Sequence, residues 1–135
     1  MKNLKKYGFL SLFIMLFSCN GSDKTENLSG GYFLRMEGKS LNDILSSGKG
    51  KNEIQPNILR YNSNAAFIIA EQKPNKTDDA IYEKSYEYKN GRDQKYYWII
   101  ILKGDLLLGP LTKAEFEMEK IKHNIPKELA LKNID

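Results

Sequence analysis

The chain has 135 residues, with 21 Lys and Arg, 17 Asp and Glu, and one cysteine, one histidine and one tryptophan. This length supports one ordinary domain. The single cysteine excludes an intramolecular disulfide framework and a multi-cysteine zinc site, and the single histidine excludes a histidine-rich metal centre. Most familiar catalytic constellations are therefore excluded, and we expect neither a cofactor nor a bound metal.

The amino-terminal segment has the pattern of an export signal. Three lysines within the first six residues precede the uncharged apolar run 7–17, which is too short for a normal membrane span. The run ends in Leu16-Phe17-Ser18-Cys19, which resembles a bacterial lipobox, although Phe17 departs from the usual small or β-branched residue. An ordinary secretory signal and an uncleaved amino-terminal anchor are the alternatives.

The resemblance implies that Cys19 carries a diacylglycerol group and usually an acylated amino group, which together would hold the protein at a membrane. We therefore predict a signal peptide over residues 1–18, lipidated Cys19 with a flexible polar tether over residues 19–29, and one domain over residues 30–135. The predicted location is the bacterial cell envelope, facing the periplasm or the exterior.

Removal of residues 1–18 also changes the charge balance. It leaves 18 basic against 17 acidic residues, so the formal net charge falls from +4 to +1. The remaining charges alternate in sign and form no basic cluster with stacking aromatics, so we expect no nucleic-acid partner.

The first elements of the domain are a strand and a short helix. Two glycines precede residues 32–36, which are apolar except for Arg35 and predict a strand that ends at Gly38. Ser40 is a candidate cap for a short helix, because Leu41, Ile44 and Leu45 have helical spacing.

The middle of the chain predicts hairpins. Residues 54–61 and 65–72 form strands about the turn 62–64, with Pro56 at a strand start or edge. Residues 80–88 fit a short helix or a strand, and we favour the helix. The apolar run 96–102 predicts the central strand, followed by a turn and a strand at 106–108.

The carboxy-terminal segment carries a capping box. Thr112 and Glu115 have the spacing that satisfies free amides at a helix start, and Leu111 is placed to pack on Phe116. A helix over residues 113–123 follows, and its predicted apolar face contains Ala114, Met118, Ile121 and then Ile125. These elements predict an α+β fold: a four- or five-stranded antiparallel sheet of hairpins packed against one carboxy-terminal helix, with short helices.

The order of these motifs resembles a family of small bacterial lipoproteins of unknown function from Bacteroidota and Bacillota. The resemblance rests on the lipobox and on four short motifs: Gly31-Tyr32-Phe33, residues 67–70, residues 97–100, and Gly109-Pro110-Leu111-Thr112-Lys113 leading to Phe116. It implies a lipoprotein without assigning catalytic residues.

The charged residues offer only weak chemical signals. His123 stands at the predicted helix end, where a cation is favoured by the terminal carbonyls. Asp78 and Asp79 are adjacent carboxylates, but no glycine-spaced calcium loop surrounds them. Glu71, Glu83 and Glu87 are further carboxylates for a glycosidase-like pair, which requires a set separation.

The aromatic residues are the stronger signal for binding. Flat amphipathic rings suit sugars, peptides and protein surfaces. Strand alternation sends Tyr97 to the face opposite Tyr96 and Trp98, so one side should be core and the other a candidate binding face. We predict that Tyr82, Tyr86, Tyr96 and Trp98 contribute to this face.

The sequence thus favours a membrane-anchored, non-catalytic module that binds a protein or peptide of the envelope through a strand edge or the aromatic face. The first alternative is an immunity-like inhibitor of a secreted toxin. The second is a small hydrolase that uses two of the carboxylates of residues 71, 78, 79, 83 and 87.

Overall fold

A computed structural model describes residues 23–38, 41–48 and 52–134. The predicted signal peptide and Cys19 lie outside the described residues. The described part contains eight strands, one α-helix and one 3-10 turn at Ser29–Gly31. The strands and the helix are β1 (Lys24–Asn27), β2 (Tyr32–Glu37), β3 (Leu41–Ser46), β4 (Ile58–Ser63), β5 (Phe67–Gln72), β6 (Tyr96–Ile101), β7 (Leu106–Leu111), α1 (Lys113–Lys122) and β8 (Lys132–Asn133).

The strands form two antiparallel sheets. Sheet A has the order β1-β2-β3, and sheet B has the order β7-β6-β5-β4-β8. The predicted α+β class is confirmed, as are the hairpin β4–β5 and the strand β6, although β5 rather than β6 lies in the middle of sheet B. Among the described residues, no helix is long and apolar enough to cross a membrane.

Sheet B is the middle layer of the molecule. One of its faces packs on sheet A through a core that includes Leu34, Ile44 and Trp98. Its other face packs on α1 and the carboxy-terminal segment through a second core that includes Tyr97 and Phe116. Because both faces are covered, β5 and β6 are buried along nearly their whole length. Strand β6 is a continuous apolar run, and β5 is apolar until its last two residues, Glu71 and Gln72.

The segment 41–46 is a strand, so the predicted short helix at this place is wrong. Strand β3 pairs with β2 along its length, with Ile44 opposite Leu34 and Leu45 opposite Phe33. Pairing satisfies the backbone and buries Ile44 completely, whereas Leu41 remains 42% exposed. A helix of this length forms too few internal hydrogen bonds to compete with such a ladder.

Strand β1 occupies residues of the predicted flexible tether. Lys24–Asn27 pairs antiparallel with β2, from Lys24 opposite Met36 to Asn27 opposite Phe33. The tether prediction is therefore wrong for these four residues. The strand is polar and largely exposed, so it has no apolar alternation from which it could be recognised.

The predicted helix over residues 80–88 is also wrong, because this segment has no regular secondary structure. Its tyrosines are held at separate places: Tyr82 contacts sheet A, whereas Tyr86 and Tyr88 pack against the core between the sheets. Tyr82 and Tyr86 therefore contact different parts of the molecule, although their spacing indicated that they share one face of a helix.

The end of the chain matches the capping prediction but not the predicted helix face. The reciprocal Thr112–Glu115 capping box is present at the start of α1. Phe116 is buried, whereas Met118 and Ile121 are 69% and 79% exposed. Ile125 is buried after the helix ends. Residues Gly109 and Pro110 lie inside β7.

Candidate functional site

The predicted aromatic binding face is not one exposed surface. Tyr96 and Trp98 are 1% and 0% exposed, so their assignment to a binding face is wrong. Tyr86 packs edge-on against Trp98, with ring centroids 4.9 Å apart, and the indole Nε1 donates a hydrogen bond to Gln72 Oε1 at 2.7 Å. Alternation does separate Tyr97 from Tyr96 and Trp98, but sheet A covers one face and α1 the other.

Tyr82 belongs to a different, polar contact. Its hydroxyl donates a hydrogen bond to the carboxylate of Asp43, which also receives two hydrogen bonds from Arg35 at 3.0 and 2.7 Å. Burial raises the pKa of Tyr82, and the bond to Asp43 raises it further. Tyr82 is therefore a neutral donor that ties the irregular segment to sheet A.

Glu71 is held in an ion pair on the α1 side of sheet B. Its carboxylate accepts two hydrogen bonds from Arg60, at 3.0 and 2.6 Å, and Lys95 Nζ lies 3.9 Å from Oε1. The bonds from Arg60 are the main reason that the pKa of Glu71 is lowered. A carboxylate that stays ionised suits a structural ion pair better than the proton-donating role of a glycosidase acid.

The other predicted carboxylates lie in the irregular segment. Asp78 accepts hydrogen bonds from Arg92 at 2.5 Å and Ser85 at 2.7 Å, and the bond from Arg92 is the main cause of its lowered pKa. Asp79 accepts the backbone N–H of Ile81, and the side chains of Glu83 and Glu87 are exposed.

The described residues were also compared with the requirements of a metal site. In the ranges 23–38, 41–48 and 52–134, no group of three or more His, Cys, Asp or Glu side chains is arranged to hold a metal ion. His123 is the C-cap residue of α1, as predicted, and its Nε2 lies 3.1 Å from Glu119 Oε2.

The outer surface of α1 presents the most exposed large apolar side chains of the described part. Met118 and Ile121 are three residues apart and so lie on neighbouring turns of one helix face. Ile121 also lines a groove of about 460 Å³, which we call the α1 groove. The groove is lined by Glu117, Lys120, Ile121, Asn124, Ile125, Pro126 and Lys127. Contiguous exposed apolar side chains mark surfaces that bind protein partners, so this face of α1 is the candidate binding surface.

The exposure of Met118 could have been predicted from the sequence, although its apolar character suggested a buried position. The capping box and the contact of Leu111 with the core of Phe116 turn Phe116 inward. Successive helix residues are about 100° apart, so Met118 points about 200° away from Phe116 and cannot share its face. The position of Phe116 thus predicts an exposed Met118.

The fold and the groove define a small α+β protein with a three-layer core and an apolar surface on α1. The chain belongs to the family described as Protein of unknown function (DUF3997), which matches residues 29–135. The prediction of a domain family of unknown function is confirmed at this level. A search of curated proteins and a search of solved structures found no match.

Proposed function

We propose that this protein is a lipid-anchored, non-catalytic binding module of the bacterial cell envelope, and that the α1 groove binds its protein partner. The exposure of Met118 and Ile121 beside this groove is the observation that carries the proposal. A partner that covers these two apolar side chains removes them from water, and this lowers the free energy of the complex.

The anchor is supported by the amino-terminal sequence. A basic start and an apolar run lead to Cys19, the single cysteine of the chain, at the position that a lipobox requires. Acyl chains contribute about 0.8 kcal/mol of membrane affinity per buried CH₂, so two or more chains give stable attachment.

A non-catalytic role is supported by the state of the candidate carboxylates. Glu71 and Asp78 are both engaged by arginine, and their pKa values are lowered. They therefore serve as ion-pair partners.

The groove is tested by crosslinking in intact cells, followed by purification of the full chain with its crosslinked partner. We expect Met118→Ser with Ile121→Ser to lose a partner that the wild type retains. Leu106→Ser is the matched control, because Leu106 is an exposed leucine at 46% on β7, outside the groove. Equal retention by both variants, or equal loss, would contradict the proposed binding surface.

The anchor is tested by fractionation of cells that express wild type or Cys19→Ala. We expect the wild type in the membrane fraction with a lipid mass addition, and a lipid-free Cys19→Ala with weakened membrane attachment. If Cys19→Ala is retained in membranes as strongly as the wild type, lipid on Cys19 is not the anchor.

A further inference from the structure

A second cleft, of about 490 Å³, lies where β5 ends, β6 begins and β7 joins α1. We call it the cationic cleft. It is lined by Lys73, Asn90, Asp93, Gln94, Lys95, Tyr97, Thr112 and Lys113. Lys73 directly follows β5, Lys95 directly precedes β6 and Lys113 begins α1, whereas the lining contains a single carboxylate, that of Asp93. The other lining side chains are uncharged.

The ion pairs of this region leave the cleft positive. Lys73 Nζ lies 3.0 Å from Asp93, and Lys95 stands at the longer distance of 3.9 Å from Glu71, which Arg60 already engages at 2.6 Å. The salt bridges found among the described residues do not include Lys113. An anionic ligand would therefore meet Lys113, which is in none of these ion pairs, and Lys95, whose neighbour Glu71 is already paired with Arg60.

The cationic cleft lies at the same end of the sheets as the start of β1. One row of paired or contacting residues crosses both sheets at this end, through Lys24, Met36, Asn42, Ile58, Gln72 and Tyr96. Lys73 directly follows Gln72, and Lys95 directly precedes Tyr96. The strand that continues from the amino-terminal segment thus enters the domain at the end of the sheets that carries these lysines.

The number of residues between Cys19 and Lys24 limits the distance between a lipid on Cys19 and this end of the sheets. Lys24 follows Cys19 by five residues, and a fully extended chain spans at most about 3.6 Å per residue, or roughly 18 Å in all. Lipid on Cys19 would hold the lysine-bearing end next to the headgroups.

We propose that the cationic cleft docks onto the phosphate groups of anionic lipids in the membrane that carries the anchor. This inference rests on the lipid anchor of the proposed function. Lys113 begins α1 and Ile121 lies eight residues further along, a rise of about 12 Å. Docking through the cleft therefore leaves the α1 groove free for a protein partner.

The test measures binding of the full chain carrying Cys19→Ala to vesicles of phosphatidylcholine, with or without an equal amount of phosphatidylglycerol. Any contribution of the amino-terminal apolar run is common to both vesicles, so the difference reports on charge. A lysine near an anionic membrane contributes about fivefold in affinity. We expect Lys73→Gln with Lys95→Gln and Lys113→Gln to remove about a hundredfold of the preference for phosphatidylglycerol, and salt to weaken it.

The matched control is Lys84→Gln with Lys103→Gln and Lys122→Gln, which makes the same change of net charge at three exposed lysines outside both the cleft and the α1 groove. We expect it to keep most of the preference, and circular dichroism to show that both triple variants fold. Equal losses in the two triple variants would overturn the proposal, because they indicate a response to net charge alone.

A second arm uses free glycerol phosphate with the same Cys19→Ala chain. Binding of glycerol phosphate in the cleft without a preference for phosphatidylglycerol vesicles would also overturn membrane docking. Because every arm uses Cys19→Ala, failure of docking is separate from failure of the anchor, which only the cell fractionation reports.

Discussion

Gly109 lies against the indole ring of Trp98 with no room for a side chain. A Cβ at this position would come within 2.7 Å of Trp98 Cδ2, and the backbone φ of 144° is one that side-chain-bearing residues rarely adopt. A glycine at this position is thus required by close packing inside β7. Its neighbour across the sheet, rather than its local sequence, explains the glycine.

We expect Gly109→Ala to lower the free energy of unfolding by about 2 to 4 kcal/mol, because it combines overpacking with backbone strain. Urea denaturation followed by circular dichroism measures the loss. Gly91→Ala is the matched control: Gly91 has a φ of 81° but open space around a Cβ, so only strain is added. Equal losses at the two sites would contradict the packing argument.

Glu71 links stability to pH through its ion pair with Arg60. Its pKa is lowered from an ordinary value of 4.5, so its stabilising contribution is present above that value and is lost as the pH falls through the lower folded-state pKa. We expect Glu71→Gln to cost about 2 kcal/mol near neutral pH and to flatten the acid loss of stability.

Urea titrations between about pH 3 and pH 7 measure this linkage. Glu87→Gln, at an exposed carboxylate, is the control and should keep the acid dependence of the wild type. An unchanged acid profile in Glu71→Gln would contradict the assignment of this titration to Glu71.

At the scale of elements, α1 depends on its first turn. The Thr112 side chain accepts a hydrogen bond from the backbone N–H of Glu115, and the Glu115 side chain accepts one from the N–H of Thr112. We expect Thr112→Ala to cost about 1 kcal/mol of stability, measured by thermal denaturation. Thr77→Ala, at an exposed threonine outside any helix, should be nearly neutral, and an equal effect would argue against capping.

The elements that could be predicted are those with a strong local signal. The capping box located α1, and the apolar run at Tyr96 located β6. The polar strand β1 could not be recognised, since its order comes from backbone pairing with β2 rather than from its side chains. The helical spacing of Leu41, Ile44 and Leu45 was misleading because tertiary pairing decides the conformation of so short a segment.

The candidate sites depended even more on the tertiary structure. Whether Trp98 faces a partner or a core is decided by sheet A, which the sequence did not reveal. The α1 groove needed the direction of Phe116, and the cationic cleft gathers Lys73, Lys95 and Lys113 from distant positions in the chain. The pattern of a single sequence does not show which distant residues meet in the folded protein.

At the scale of the whole molecule, sheet B couples the two cores. Leu34 on sheet A is fully buried against sheet B, whose opposite face supports α1. We expect Leu34→Ala to cost about 2 to 5 kcal/mol and to lower amide protection against hydrogen exchange in both sheets together. Leu41→Ala, at a half-exposed leucine, should cost far less, and a loss confined to sheet A would contradict the coupling.

The single tryptophan gives this protein an internal optical probe. Trp98 is fully buried between the sheets and donates its indole N–H to Gln72, while Tyr86 packs against its ring. Its fluorescence should therefore be blue-shifted in the native state and move to longer wavelength when the sheets separate. Binding at the α1 groove or at the cationic cleft should leave this emission unchanged, so ligand association and loss of the fold can be distinguished in one cuvette without a label.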